Sequence, residues 1–231
     1  MVTGETVTPF GRGMDVSGRK LVVFDFDGTL SNTIEGITST ARAVLRAHGL
    51  SDADMGDLRR IVGPPFPEAF SLVYGFSTEE AEQITDEYRA IYNTLGAEAF
   101  PAIPGMADLA DSLREAGKVL GVASSKRAAL LERGMRESGL APHFDVYLGK
   151  LKDGDDTKAK TIVRVMDQTG LGAADAVMVG DRFYDVAAAT EVGIPCVGVH
   201  YAHTCEVEEL WDAGAVAVAE TVEELRGILL G

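Results

Sequence analysis

Short apolar runs alternate along the chain with segments whose apolar residues recur at helical spacing. The runs are Leu21–Phe24, Val119–Ala123, Val146–Leu148, Ala176–Val179 and Cys196–Val199, with a weaker one at Ala215–Ala219. Each has the length of a buried strand rather than a buried helix. Helical patterns fall between them at about 106–116, 127–138, 157–169, 183–191 and 206–213. Gly117, Gly139, Gly170 and Gly193 stand just past helical stretches, where a left-handed C-terminal cap favours glycine. Strand–helix–strand alternation predicts an α/β fold with a mainly parallel sheet and helices on both faces.

One interval breaks this rhythm. Between Leu30 and Phe100 no apolar run has comparable strength, and helical patterns follow one another at about 33–48, 53–61, 66–73 and 77–95. Gly49, Gly63-Pro64-Pro65 and Gly75 punctuate them. The pattern predicts an all-helical insertion over residues 33–100, between the first strand and the second. The core is then 20–32 plus 101–231. Residues 1–19 carry neither periodicity nor an apolar signal segment, and read as a loose leader.

Composition narrows the partners. The chain of 231 residues is 46% hydrophobic and 25% charged, ordinary for a globular protein, but its formal net charge is −15. That argues against nucleic acid and anionic membranes as partners, while a metal and a few cations can still receive a small anion. No stretch approaches the roughly 18 apolar residues of a membrane helix, and a cytoplasmic location is expected. Cys196 and Cys205 form no disulfide framework, and Cys196 reads as a small buried residue.

Ligands of open α/β sheets lie beyond the carboxyl ends of the strands, so the polar residues there carry the candidate chemistry. The first run ends in Asp25-Phe26-Asp27-Gly28-Thr29. Two carboxylates two apart on an extended chain point to one side, and like charges that close call for a cation or a shared proton. The second run ends in Ser124-Ser125-Lys126, and the fourth in Gly180-Asp181, with Asp185 four residues on. Taken alone, Ser124, Ser125 and Asp181 read as helix caps. Capping does not explain four aspartates at one sheet edge, and clustered hard carboxylates suit Mg²⁺. Lys158 and Lys160 open a helical pattern, where the macrodipole disfavours them, which points to another reason for one of the two.

Together these residues resemble the haloacid dehalogenase superfamily of phosphohydrolases, in the branch similar to phosphoglycolate phosphatase. Asp25-Phe26-Asp27-Gly28-Thr29 matches its first motif, Val122-Ala123-Ser124-Ser125-Lys126 the second, Lys158 the third, and Gly180-Asp181 with Asp185 the fourth. The resemblance covers residues from about 20 to the C-terminus and implies a Rossmann-like core with a helical cap. It implies Mg²⁺-dependent hydrolysis of a small phosphorylated metabolite by a monomer or homodimer. Asp25 is then the nucleophile that forms an aspartyl-phosphate, and Asp27 the general acid and base. Mg²⁺ falls to Asp25, the Asp27 carbonyl and Asp181, with Asp185 ligating directly or through water. Ser124 and Ser125 bind the phosphoryl group, and Lys158, or in an alternative alignment Lys160, neutralises it.

The second aspartate argues against a true dehalogenase, and the lack of lysine in residues 31–100 against a Schiff-base phosphonatase. A hexose-phosphate mutase and a catalytically silent phosphate- or partner-binding module are the alternatives. Gly63-Pro64-Pro65-Phe66 reads either as a substrate-facing loop or as a rigid break between helices. Arg59, Arg60 and Phe66 are further candidates to face the substrate.

Overall fold

The computed structural model describes residues 10–231. Six strands form one sheet: β1 (Leu21–Phe24), β2 (Val119–Arg127), β3 (Val146–Lys150), β4 (Ala176–Gly180), β5 (Cys196–Val199) and β6 (Ala217–Ala219). Their order is β3-β2-β1-β4-β5-β6, and every pairing is parallel. β1 lies at the centre, and its four residues are all buried, as a strand covered on both faces requires. Val22 and Phe24 join the apolar layer on one face, Leu21 and Val23 the layer on the other.

Helices α5 (Met106–Glu115), α6 (Ala128–Glu137) and α10 (Val222–Leu230) supply the first layer through residues such as Leu109, Leu131 and Leu225. The second comes from α7 (Lys158–Thr169), α8 (Phe183–Glu191) and α9 (Val207–Ala213), through Ile162, Val186 and Leu210. The chain builds outward from β1 through β2 to β3, then returns to lay β4 on the other side of β1. The strand order reverses there, and Asp25 and Asp181 sit at the carboxyl ends of the two strands that flank the reversal.

Helices α1 (Ile34–Ala47), α2 (Asp52–Met55), α3 (Glu68–Tyr74) and α4 (Thr78–Tyr92) occupy the interval between β1 and the return at Pro101. Ile37, Ala41, Val44 and Leu45 of α1 are buried together with Ala81, Ile84 and Tyr88 of α4. Ser77 starts α4 with a capping box closed by Glu80, and Ser51 starts α2 in the same way with Asp54. The helix expected over 53–61 is instead a single turn followed by a 3₁₀ turn at Leu58–Ile61, because Gly56 takes φ +55° between them. Aromatic contacts Tyr88–Tyr92, Tyr92–Phe100 and Phe26–Phe100 run without a break from the insertion into the core.

Three further expectations are corrected. The described part of the leader is fixed to the core: Val16 is buried, Gly13 N–H donates to the Val216 carbonyl at 2.8 Å, and the Lys118 amine donates to the Ser17 and Arg19 carbonyls. Residues 1–9 lie outside the described residues. The second strand, expected to end at Ala123, runs on through Arg127, and the helix expected over about 127–138 follows it as α6. Finally, α10 closes the fold where no helix was foreseen, and its Leu225 and Leu229 are buried.

Candidate functional site

β1 delivers Asp25 one residue past its end, where the Asp25 N–H still donates to Val179 O at 2.9 Å. β4 delivers Asp181 in the same way. Asp25, Asp181 and Asp185 each present a carboxylate oxygen, all three within 4.8 Å of one another, and all three residues are buried. Lys158, first residue of α7, reaches in from the far side. Its amine lies 2.8 Å from Asp25 Oδ2 and also donates to Asp185 Oδ1. Burial alone would lower the Lys158 pKa, but the Asp185 and Asp25 carboxylates hold it above the ordinary lysine value.

The three carboxylates share one ammonium and are therefore short of positive charge. Burial, above all, pushes the Asp25 carboxyl up to about 6, with Asp185 and Asp27 adding to the shift and Lys158 opposing it. Burial followed by the Asp185 and Asp25 charges raises Asp181 well above the usual carboxylate range. Asp25 Oδ1 and Asp181 Oδ2 are buried without any hydrogen-bond partner. Oxygens of this kind are costly unless something accepts their lone pairs, and a hard cation does so. Gly28, at φ +74°, keeps the space open, since a Cβ there would run into the Asp181 carboxylate. The donor set and this gap fit a divalent metal.

Asp185 differs from the other two. Its Oδ1 takes the Lys158 amine and its Oδ2 accepts the Arg182 N–H at 3.0 Å, closing the first turn of α8. Both oxygens are engaged, so Asp185 anchors Lys158 and the helix start. Asp181, expected as a possible helix cap, instead accepts the Thr29 hydroxyl at 3.2 Å.

Asp27 lines the same cavity as Asp25. The chain leaves strand geometry after Phe24, and the two carboxylates take different partners. Asp27 Oδ1 lies 3.0 Å from the Lys126 amine and accepts the Thr33 hydroxyl at 2.6 Å. Each aspartate thus has its own lysine. Burial works against the Lys126 charge, yet Asp27 and Tyr92 raise its pKa above the ordinary value. Lys126 stands in the second motif, but the sequence assigned it no role. The signal available was a lone lysine at an apolar strand end, two residues past Ser124.

The pairing of β2 with β3 is irregular between Ala123 and Arg127. Such an irregularity re-aims side chains, and here Ser124, Ser125 and Lys126 all line one cavity. Ser124 caps no helix: it is buried, its Oγ accepts the Lys126 N–H at 3.3 Å, and its own proton remains available. Lys160 stays exposed and donates to the Asp155 carbonyl, so Lys158 is the lysine that reaches the aspartates.

That cavity has an empty volume of about 660 Å³, its open mouth included, and holds Asp25 and Asp27 in its floor. The helical insertion supplies the opposite wall: Ile37, Val62, Pro64, Phe66 and Tyr88. Gly63-Pro64-Pro65-Phe66 therefore faces the same space as the aspartates. Arg59 and Arg60 do not line it; Arg59 pairs with Asp57 and Arg60 donates to the Val73 carbonyl. Two arginines that the sequence did not single out matter more. Buried Arg182 donates from the core to the Val62 and Arg59 carbonyls of the insertion, and to Glu209 at 2.8 Å. Arg89 of α4 holds Asp153, on the loop after β3, through two hydrogen bonds of 3.0 and 3.1 Å.

A family model described as haloacid dehalogenase-like hydrolase matches residues 22–199, an interval that contains the aspartates, both serines and both lysines. The chain belongs to the haloacid dehalogenase-like hydrolases. It is accordingly a hydrolase of phosphate monoesters, as the four motifs lead one to expect. A 5'-nucleotidase of Pseudomonas aeruginosa is 31% identical over 188 residues, covering 81% of this chain and 85% of that protein. The tyrosine-protein kinase PtkA of Mycobacterium tuberculosis is 35% identical over 213 residues, covering 91% and 72%. Among solved structures, a predicted phosphatase from Clostridium acetobutylicum superposes with a TM-score of 0.86 at 34% identity, covering 92% of this chain and 98% of that one. Among the described residues, no helix is long and apolar enough to cross a membrane.

Proposed function

We propose that this haloacid dehalogenase-like hydrolase is a Mg²⁺-dependent phosphatase that cleaves a small-molecule phosphomonoester through an aspartyl-phosphate on Asp25. The observation that carries the reading is the pair of orphaned buried oxygens, Asp25 Oδ1 and Asp181 Oδ2, beside a carboxylate already matched by Lys158. The carboxylates of Asp25 and Asp181 and the main-chain carbonyl of Asp27 would hold the metal, with Asp185 acting through water because both its oxygens are taken. Bound there, Mg²⁺ supplies positive charge to the phosphoryl oxygens.

The chain's own residues perform the transfer. An Asp25 oxygen attacks phosphorus, and the bond to the leaving oxygen breaks as Asp27 gives that oxygen a proton. Asp27 then takes a proton from water, which attacks the aspartyl-phosphate, releasing phosphate and restoring the Asp25 carboxylate. Ser124 donates its free hydroxyl proton to a phosphoryl oxygen, Ser125 binds at the same strand end, and Lys158 offsets the gathered negative charge. Thr33 and Lys126 fix the Asp27 carboxylate by one oxygen.

The insertion selects the leaving group. Its wall of Ile37, Val62, Phe66 and Tyr88 is apolar and aromatic, with Arg89 beside it paired to Asp153, which favours a leaving group with an apolar or planar face. The 5'-nucleotidase relative supports that direction. The chemistry itself remains that expected of a phosphoglycolate phosphatase-like enzyme. A panel of nucleoside monophosphates, sugar phosphates and phosphoglycolate, assayed with Mg²⁺, tests both points. Phosphate release that disappears in Asp25→Asn supports the proposal. No turnover of any ester by folded, metal-loaded protein refutes it, and an isomerised hexose phosphate in place of phosphate release would indicate a mutase.

A further inference from the structure

A second cavity opens on the other side of Pro65 and Ser125, which line both spaces. Its empty volume is about 630 Å³, mouth included, and Lys158 forms part of its wall. Lys150, last residue of β3, lines it with a relative exposure of only 2%. Among the described residues Lys150 has no hydrogen-bond or ion-pair partner. The Asp153 carboxylate lies within electrostatic reach of Lys150 but is bonded to Arg89 and paired with Arg127 instead. The Lys150 amine therefore faces the cavity with no bonded partner, whereas the other buried lysine of the site, Lys158, has two carboxylates.

The remaining lining points to the missing partner. The hydroxyls of Ser125 and Tyr184 also lack partners among the described residues. Thr157 caps α7 by accepting the Lys160 N–H, which leaves its own proton to donate. The twelve-residue helix α7 turns its positive end toward the same space. The acidic group of the lining, Glu191, is exposed at the far end of α8. We propose that Lys150, with Ser125, Thr157 and the N-terminus of α7, forms a second oxyanion site behind Lys158, and that it takes a phosphate group. The group is either inorganic phosphate on its way out or the distal phosphoryl of a diphosphate whose other end lies at Asp25.

The test is titration of the Mg²⁺-loaded protein and Lys150→Met with inorganic phosphate and with pyrophosphate, by calorimetry. Each titration is run with and without beryllofluoride, which occupies the phosphoryl position on Asp25. Expected is phosphate binding that survives beryllofluoride in the wild type and weakens at least about tenfold in Lys150→Met. If the site serves a diphosphate, pyrophosphate binding is also lost with beryllofluoride and weakens in Lys150→Met. If it serves released phosphate, pyrophosphate binding is indifferent to the substitution. Failure of beryllofluoride to bind would count against the role of Asp25 alone, since the two proteins still differ in phosphate binding without it. Equal phosphate affinity in wild type and Lys150→Met, with the variant at least as heat-stable, overturns the proposal. Removal of an unpaired buried charge leaves stability unharmed, so the variant remains folded for the comparison.

Discussion

Lys126 places its amine 3.0 Å from Asp27 Oδ1, on the oxygen that also receives the Thr33 hydroxyl. The second oxygen of Asp27 takes neither bond, and Asp27 lines the cavity. This fixes the orientation of the second aspartate. The carboxylate is held by one oxygen from two elements, β2 and the turn before α1, so that the other can move a proton.

Thr33→Val removes one of those two holds without touching substrate. Its kcat should fall roughly tenfold while KM stays within about twofold, as befits a misaligned general acid. Steady-state kinetics on the best ester of the panel reads this split. A change in KM alone would mean that Thr33 serves the cap rather than Asp27.

Asp181 carries a buried orphan oxygen and a raised pKa, and so weakens the metal-free fold. Asp181→Asn keeps the shape and removes the charge. Without metal its Tm should exceed that of the wild type by about 2–4 °C, the shift expected for roughly 1 kcal/mol in a domain of this size. The stabilisation by Mg²⁺ should largely vanish. Thermal denaturation with and without MgCl₂ measures both.

The Asp25 carboxyl titrates near 6 in the folded, metal-free protein and near 3.8 when unfolded. Between those values the folded state holds a proton that the unfolded state has released. This group's contribution to stability therefore grows as pH falls through about 6 and is complete below about 3.8. A metal must displace that proton. The Tm gain from MgCl₂ should accordingly be larger at about pH 7.5 than at about pH 5.5, and equal gains would contradict the assignment of Asp25 as a ligand.

Arg182 ties the core to the carbonyls of Arg59 and Val62, beside the loop that lines the cavity. Arg182→Met should loosen that loop, leave Glu209 with only the Phe183 N–H, and raise KM at least about fivefold with a smaller effect on kcat. Hydrogen exchange at residues 58–66 should rise in parallel. Unchanged exchange there would show that the loop is held by its own packing.

Much of this was legible from pattern alone. The apolar runs mark five of the six strands closely, because a doubly covered strand must be apolar throughout. Asp25, Asp181 and Lys158 could be found because each sits one or two residues from the end of such a run or at the start of a helix. What was hidden depends on local irregularity. The break in pairing after Ala123 lets the strand continue through Ser124 and Lys126, past the point where the apolar run ends, and nothing in the composition of Val119–Arg127 announces it. The same holds for the different partners of Asp25 and Asp27, which follow from where the chain leaves the strand. Arg89, Asp153 and Arg182 act across long sequence distances, and a single sequence carries no signal for such pairs. Helix α10 has the apolar spacing of Leu225 and Leu229, but it is short and ends the chain.

The central claim is that Asp25 itself becomes phosphorylated. Acid-quenching the Mg²⁺-loaded enzyme during turnover of its best ester, followed by peptide mass spectrometry, tests this most directly. The account predicts a phosphate adduct confined to the peptide that contains Asp25 and absent from Asp25→Asn. An adduct on any other residue, or turnover that persists in Asp25→Asn, would contradict it.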